Sequence, residues 1–207
     1  MERRGNYKNG KIDGPYELYY ENGQLEEKRN WKDGKSDGPY ERYHRNGVLA
    51  IRCTYKDGEF DGLYEAYHDN KQLIKRCTYK NRKLDGLFER YGENDGSLLQ
   101  RCTYKDGELD GLFKKYYERG PLERRFTCKD GKRVGIEKLF YVENGQLKSK
   151  WTYKDGKLNG PYEEYHKNGQ LKEKYTYKDG KKDGSYESYY DDGQLREKCT
   201  YKNGKID

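Results

Sequence analysis

The sequence predicts an all-β protein, an elongated single-layer antiparallel meander built from stacked β-hairpins of 24 residues. Three observations carry that prediction. An aromatic-Lys-Asp/Asn tripeptide returns at Tyr7, Trp31, Tyr55, Tyr79, Tyr104, Tyr153, Tyr177 and Tyr201, with Cys128 in the vacant sixth place. The period is 24 residues, twice stretched to 25, which is the signature of a stacked repeat architecture. Turn-forming Asn-Gly and Asp-Gly pairs recur at two places in most repeats, and the segments between them alternate apolar and polar residues.

Composition alone points elsewhere. Only 31% of residues are hydrophobic, and about half of that share is aromatic (15%). So low an aliphatic content suits a disordered chain, but 24 tyrosines at fixed positions supply half-apolar side chains that can cover a sheet. The expected result is an ordered, thin and well-hydrated structure. The net charge of +7 comes from acidic and basic residues interspersed along the whole chain. Nucleic-acid binders instead gather Lys and Arg on one face, so no nucleic-acid partner is expected. No run of 18 apolar residues and no secretory signal is visible, and a cytoplasmic location is expected.

Eight full repeats span residues 7–200, and partial repeats flank them in one array over residues 1–207. Met1 falls in the register slot of Leu25 and Asp207 stops before the next Gly, so the natural array is expected to be longer. Asn22-Gly23, Asn46-Gly47, Asp95-Gly96, Asn144-Gly145, Asn168-Gly169 and Asp192-Gly193 are read as two-residue hairpin turns with both central residues at positive φ. A second series, from Asn9-Gly10 and Asp33-Gly34 to Asp179-Gly180, closes the other end. Pairing across Asn22-Gly23 sets Tyr20 opposite Leu25, Leu18 opposite Glu27, Glu17 opposite Lys28 and Tyr16 opposite Arg29. The same register faces Glu41 with Arg52, Glu65 with Arg76, Glu163 with Lys174 and Glu187 with Lys198, the cross-strand arrangement a sheet favours.

The two strands of a repeat differ in length, so a bulge must recur. Gly14, Gly38, Gly62, Gly86, Gly111, Gly135, Gly160 and Gly184 are its expected sites. At about 4.8 Å per strand, about sixteen strands make a strip of roughly 75–80 Å. One face is expected to carry Tyr16, Tyr40, Tyr64, Phe88, Phe113, Tyr162 and Tyr186, flanked by the ladder Leu25, Leu49, Leu73, Leu98, Leu122, Leu147, Leu171 and Leu195. The other carries the Glu-Lys pairs, threonines such as Thr54 and a sparser row including Tyr43 and Tyr67.

The hairpin unit, with its Tyr-x-x-Gly, Asp-Gly and Asn-Gly-Gln-Leu elements, resembles the MORN repeats, in the bacterial variant found in YwqK-like antitoxins. The resemblance covers essentially the whole chain. It implies a non-enzymatic scaffold or binding module, such as an antitoxin or immunity protein that grips a partner.

Candidate chemistry is sparse. Cys53, Cys77, Cys102 and Cys199 share one repeat position, roughly 9–10 Å from repeat to repeat, too far for a disulfide or for four ligands around one zinc ion. They read as small apolar fillers in a reducing compartment. His44, His68 and His166 interchange with tyrosine, which argues against a ligand or general-base role. The Asp-Gly-Lys-x-Asp-Gly loops raise a calcium reading, but turn and bulge geometry already accounts for them. No catalytic, cofactor or metal residue is assigned.

Repeats five and six depart from the pattern. Lys114 and Lys138 replace the paired Glu and face Arg125 and Lys150, and basic residues outnumber acidic ones over residues 104–152. Lys114, Arg124, Arg125, Lys129 and Lys138, with Lys132 and Arg133, form a candidate basic patch. The sequence thus supports a scaffold binding a protein partner through its Tyr and Leu face, with homodimerisation by stacking of that face as one outcome. The alternative is peripheral attachment to acidic membrane lipids through residues 104–152.

Overall fold

A computed structural model describes residues 2–207 and divides the chain into two compact units, Met1–Glu108 and Leu109–Asp207. Met1, assigned above to the slot of Leu25, lies outside the described residues. The first unit holds β1 (Arg3–Lys8), β2 (Lys11–Tyr19), β3 (Leu25–Lys32), β4 (Lys35–Tyr43), β5 (Leu49–Lys56), β6 (Glu59–Tyr67), β7 (Leu73–Lys80), β8 (Lys83–Tyr91) and β9 (Leu98–Lys105). The short β10 (Glu108–Leu109) straddles the boundary. The second unit holds β11 (Gly111–Tyr116), β12 (Leu122–Lys129), β13 (Lys132–Phe140), β14 (Leu147–Lys154), β15 (Lys157–Tyr165), β16 (Leu171–Lys178), β17 (Lys181–Lys182), β18 (Gly184–Tyr189), β19 (Leu195–Lys202) and β20 (Lys205–Ile206). Each unit is an open antiparallel meander in which strands pair with their neighbours in sequence.

The two turn series turn out to differ. At Asn9-Gly10, Asp33-Gly34 and their equivalents both residues have positive φ (51° and 74°, 50° and 82°), as a two-residue turn between right-twisted strands requires. At Asn22-Gly23 only the glycine does (80°). There the turn is longer: Gly23 N donates to Tyr20 O (3.0 Å) and Tyr20 N to Gln24 O (2.8 Å). Asn22 is held by its own side chain, whose Oδ1 accepts from Gln24 N (3.1 Å) while Nδ2 donates to Arg45 O of the next repeat (3.2 Å). The two 25-residue repeats carry their extra residue in this loop, where Gly96 N reaches Gly92 O and Gly145 N reaches Tyr141 O.

The longer turn corrects the register beside it. Tyr19, not Tyr20, pairs with Leu25, while Leu18–Glu27, Glu17–Lys28 and Tyr16–Arg29 stand as expected. Glu26 is therefore an extra residue, and an odd insertion moves everything beyond it to the other face. Leu25 and Leu49 join the row of Tyr19 and Tyr43. The leucine ladder thus does not flank Tyr16 and Tyr40.

The glycine bulge falls where expected. Arg29 faces Tyr40 and Trp31 faces Ser36, so Asp37-Gly38-Pro39 stand against Asn30 alone, and Asn30 Nδ2 donates to Asp37 O (2.9 Å). Consecutive repeats are also stapled at both rims. Asp13, Asp37, Asp85 and Asp183 accept a backbone N–H from the following turn (3.1–3.3 Å). At the opposite rim Tyr20, His44, Tyr141 and His166 bond the carbonyls of Tyr43, Tyr67, Tyr165 and Tyr189. Tyrosine and histidine interchange there because each offers one donor at the end of a flat ring.

Arg82 occupies a glycine slot of the two-residue turns at φ 68°. Its exposed ion pair with Glu59 (2.9 Å) offsets little of that strain. Arg82→Gly is expected to raise stability in urea unfolding by roughly 0.5–1 kcal/mol. Gly160→Ala should do the opposite, by about 2 kcal/mol, because Gly160 has φ 117° and an added Cβ would lie 3.1 Å from Thr152 Cβ.

Candidate binding surfaces

One face of each unit is a row of rings. In the first unit, strand pairing alternates large and small: Tyr40, Cys53, Tyr64, Cys77, Phe88, Cys102. The three thiols are buried, and Tyr40 is only 8% exposed. Burial pushes the Cys53 thiol up to about 12 and raises those of Cys77 and Cys102, so they act as inert packing. Tyr16, Tyr64, Phe88, Phe113, Tyr162 and Tyr186 are half-buried. Rings of neighbouring strands cover one another, as in the edge-on pair Tyr40–Tyr55 (5.6 Å) and the stack Tyr162–Tyr175 (4.5 Å).

The second unit breaks this row. Glu137 occupies the slot of Tyr40 and is fully buried. It forms ion pairs with Arg124 and with Arg133 (Nη1–Oε2 3.2 Å). Both guanidiniums also lie over the Phe126 ring (5.5 and 4.7 Å). Arg124 is therefore turned to the ring face and committed to Glu137. It does not join Lys114, Arg125 and Lys138, because neighbouring residues of a strand point to opposite faces.

The opposite face carries a charge ladder. In the first unit Glu17, Lys28, Glu41, Arg52, Glu65, Arg76, Glu89 and Arg101 face one another in alternation. Each of Glu41, Glu65 and Glu89 also accepts a hydroxyl from the tyrosine two residues on: Tyr43 (2.6 Å), Tyr67 (2.8 Å) and Tyr91 (3.0 Å). The Tyr43 hydroxyl, then the Arg52 guanidinium, hold the Glu41 carboxyl below its ordinary range against the opposing effect of burial. Burial first, and Glu41 second, push the Tyr43 phenol up to about 12. The sequence places Tyr43 and Tyr67 on this face with the Glu-cation pairs, and the structure adds that their hydroxyls bond the carboxylates.

In the second unit the ladder reads Lys114, Arg125, Lys138, Lys150, Glu163, Lys174, Glu187, Lys198. Lys150 pairs with Glu163 (2.8 Å). Lys114, Arg125 and Lys138 make no ion pair among the described residues. Phe140 stands where a tyrosine would donate to the missing carboxylate at position 138. Exposed Leu112 (47%) and Ile136 (55%) border this cationic row. Lys129 lies on the same face but at the rim, roughly 13 Å along the strand from Arg125.

Glu187 shows the ladder's pH dependence. The Lys174 ammonium (2.6 Å) first, then the Tyr189 hydroxyl and Lys198 (3.0 Å), hold its carboxyl down to about 2. A depressed carboxylate contributes stability above its unfolded value, and that contribution is lost as pH falls through the folded value. Acid unfolding of the parent should therefore steepen between pH 4.5 and about 2. Glu187→Gln should flatten that limb in a pH series of urea midpoints, and an unchanged limb would exclude the assignment.

Comparison with known proteins follows this geometry. A family model described as "MORN repeat variant" matches residues 12–33, 36–57, 60–81, 133–155, 158–179 and 182–203. The unmatched stretch contains the enlarged loop Gly92–Ser97 and the turn at Arg119, as well as Lys114 and Arg125. No curated protein matches the chain. A solved structure titled "Crystal Structure of TcdB2-TccC3-Cdc42" is similar over 98% of this chain and 14% of that chain, at 13% identity and a TM-score of 0.24. The matched repeats cover well over half of the sequence, and the chain belongs to the MORN repeat variant family.

Proposed function

We propose that the chain is a non-enzymatic scaffold that holds a protein partner on its ring face. The observation that carries this reading is that rings such as Tyr64, Phe88, Tyr162 and Tyr186 are locked by their neighbours yet remain half-exposed, with no second layer over them among the described residues of either unit. Rigid aromatic surface loses little conformational freedom on binding, which favours it as an anchor. In its most specific form the partner is a toxin and the chain its cytoplasmic antitoxin or immunity protein. The buried thiols of Cys53, Cys77 and Cys102, none in a disulfide, suit such a reducing compartment. Self-association through the ring face is the competing use of the same surface.

A photo-cross-linking residue at Tyr64 or Tyr186 is expected to capture a partner in cells, and one at Thr176 on the charge-ladder face is not. Equal capture from Thr176, or capture only of a second copy of the chain, would overturn the reading.

A second reading rests on Lys114, Arg125 and Lys138 with Leu112 and Ile136, since unneutralised cations beside exposed apolar side chains suit an anionic membrane surface. Each cation near such a surface contributes about 1 kcal/mol. If that reading holds, flotation with phosphatidylserine vesicles should be strong at low salt, fall at physiological salt and be lost on Lys114→Glu with Lys138→Glu.

A further inference from the structure

Three successive repeats of the second unit place one side chain among rings on the ring face, with Glu137 standing in for one of the three rings in the first. In the last, the Lys182 ammonium sits over Tyr175 (3.9 Å), Tyr201 (5.2 Å) and Tyr186 (5.4 Å). In the first, Arg133 occupies the equivalent slot, over Phe126 (4.7 Å) and Tyr153 (5.4 Å), and its Nη1 donates to the Tyr153 hydroxyl (3.1 Å). The middle cage has the three walls of the last, here Trp151, Tyr162 and Tyr177, but the slot holds Leu158, which has no charge. An open cavity of about 460 Å³ lies there, lined by those rings and Leu158 with Lys148, Ser149, Tyr153 and Glu164.

Two carboxylates, Glu164 and Glu173, and two lysines, Lys148 and Lys172, surround this cavity. Glu164 stands directly opposite Glu173, like facing like. Lys172 reaches Glu164 Oε1 from the rim (2.7 Å), with its side chain about half exposed, and the Tyr162 hydroxyl donates to Oε2 (2.8 Å). Glu173 accepts the Tyr186 hydroxyl (3.3 Å) and has no ion pair among the described residues. Ring faces attract cations, tryptophan most strongly, and a nearby carboxylate adds direct attraction.

We propose that the Trp151–Tyr162–Tyr177 cage is a binding site for a lysine or arginine side chain of a protein partner, with Glu164 as its counter-ion. The chain's own Lys182 shows which group three such rings take, and the uncharged Leu158 leaves the ring faces of the middle cage for a cation of another chain. The proposal rests on the ring face being the partner surface, and it names the chemistry that this surface selects.

The chain has two tryptophans, so a Trp31→Phe background leaves Trp151 as the reporter of its own cage. Titration with an acetylated Gly-Arg-Gly amide is expected to quench that fluorescence saturably, while the peptide with uncharged citrulline does not. Leu158→Lys copies the neighbouring repeat, so the fold should tolerate it. It should weaken the response by about tenfold, and Glu164→Gln should weaken it severalfold. Equal quenching by the citrulline peptide, or an undiminished response in Leu158→Lys, would overturn the proposal. Quenching by phosphatidylcholine vesicles but not by the arginine peptide would overturn it in favour of a lipid headgroup. Quenching that depends only on protein concentration would overturn it in favour of a second copy. The titration needs no natural partner, so its failure leaves the cross-linking result standing, and failed cross-linking leaves the cage chemistry measurable.

Discussion

A sheet without a second layer must shield both of its faces with its own side chains, and the rest of this structure follows from that constraint. On the ring face the solution is alternation of size, as cysteine separates Tyr40, Tyr64 and Phe88, each of which meets the ring of Tyr55, Tyr79 or Tyr104. On the other face the shielding is polar. A carboxylate, a cation from the next strand and a tyrosine hydroxyl close over one another until Glu65 and Glu89 are 4% and 8% exposed. A carboxylate that deeply covered is tolerable only with its partners in place.

The same constraint explains why departures from the repeat occur in sets. A carboxylate replaces the ring at Glu137, and cations then appear at Arg124 and Arg133 to meet it, with Phe126 beneath both. Lysine replaces the carboxylate at Lys138, and the tyrosine that would donate to it becomes Phe140. Repeats that contact only their neighbours can accept such local exchanges without disturbing distant ones. Differences between otherwise similar repeats are therefore where a generic scaffold acquires particular chemistry, and the uncharged Leu158 among three rings is one such difference.

The repeat period, the hairpins, the glycine bulges and the Glu–Arg pairs were determined by the sequence alone. They are local, and a two-residue alternation between turn signals leaves few registers that match charge to charge. The cysteines as buried fillers and the interchange of His44 with tyrosine were legible for the same reason. Only the tertiary structure decided where that alternation is interrupted and which side chains then meet. The single extra residue at Glu26 sends Leu25 away from Tyr16, and Glu137, buried in a ring's place, draws Arg124 and Arg133 onto itself. A cage such as Trp151, Tyr162 and Tyr177 gathers side chains from three strands, and its walls converge only once the bulges have set the register between them.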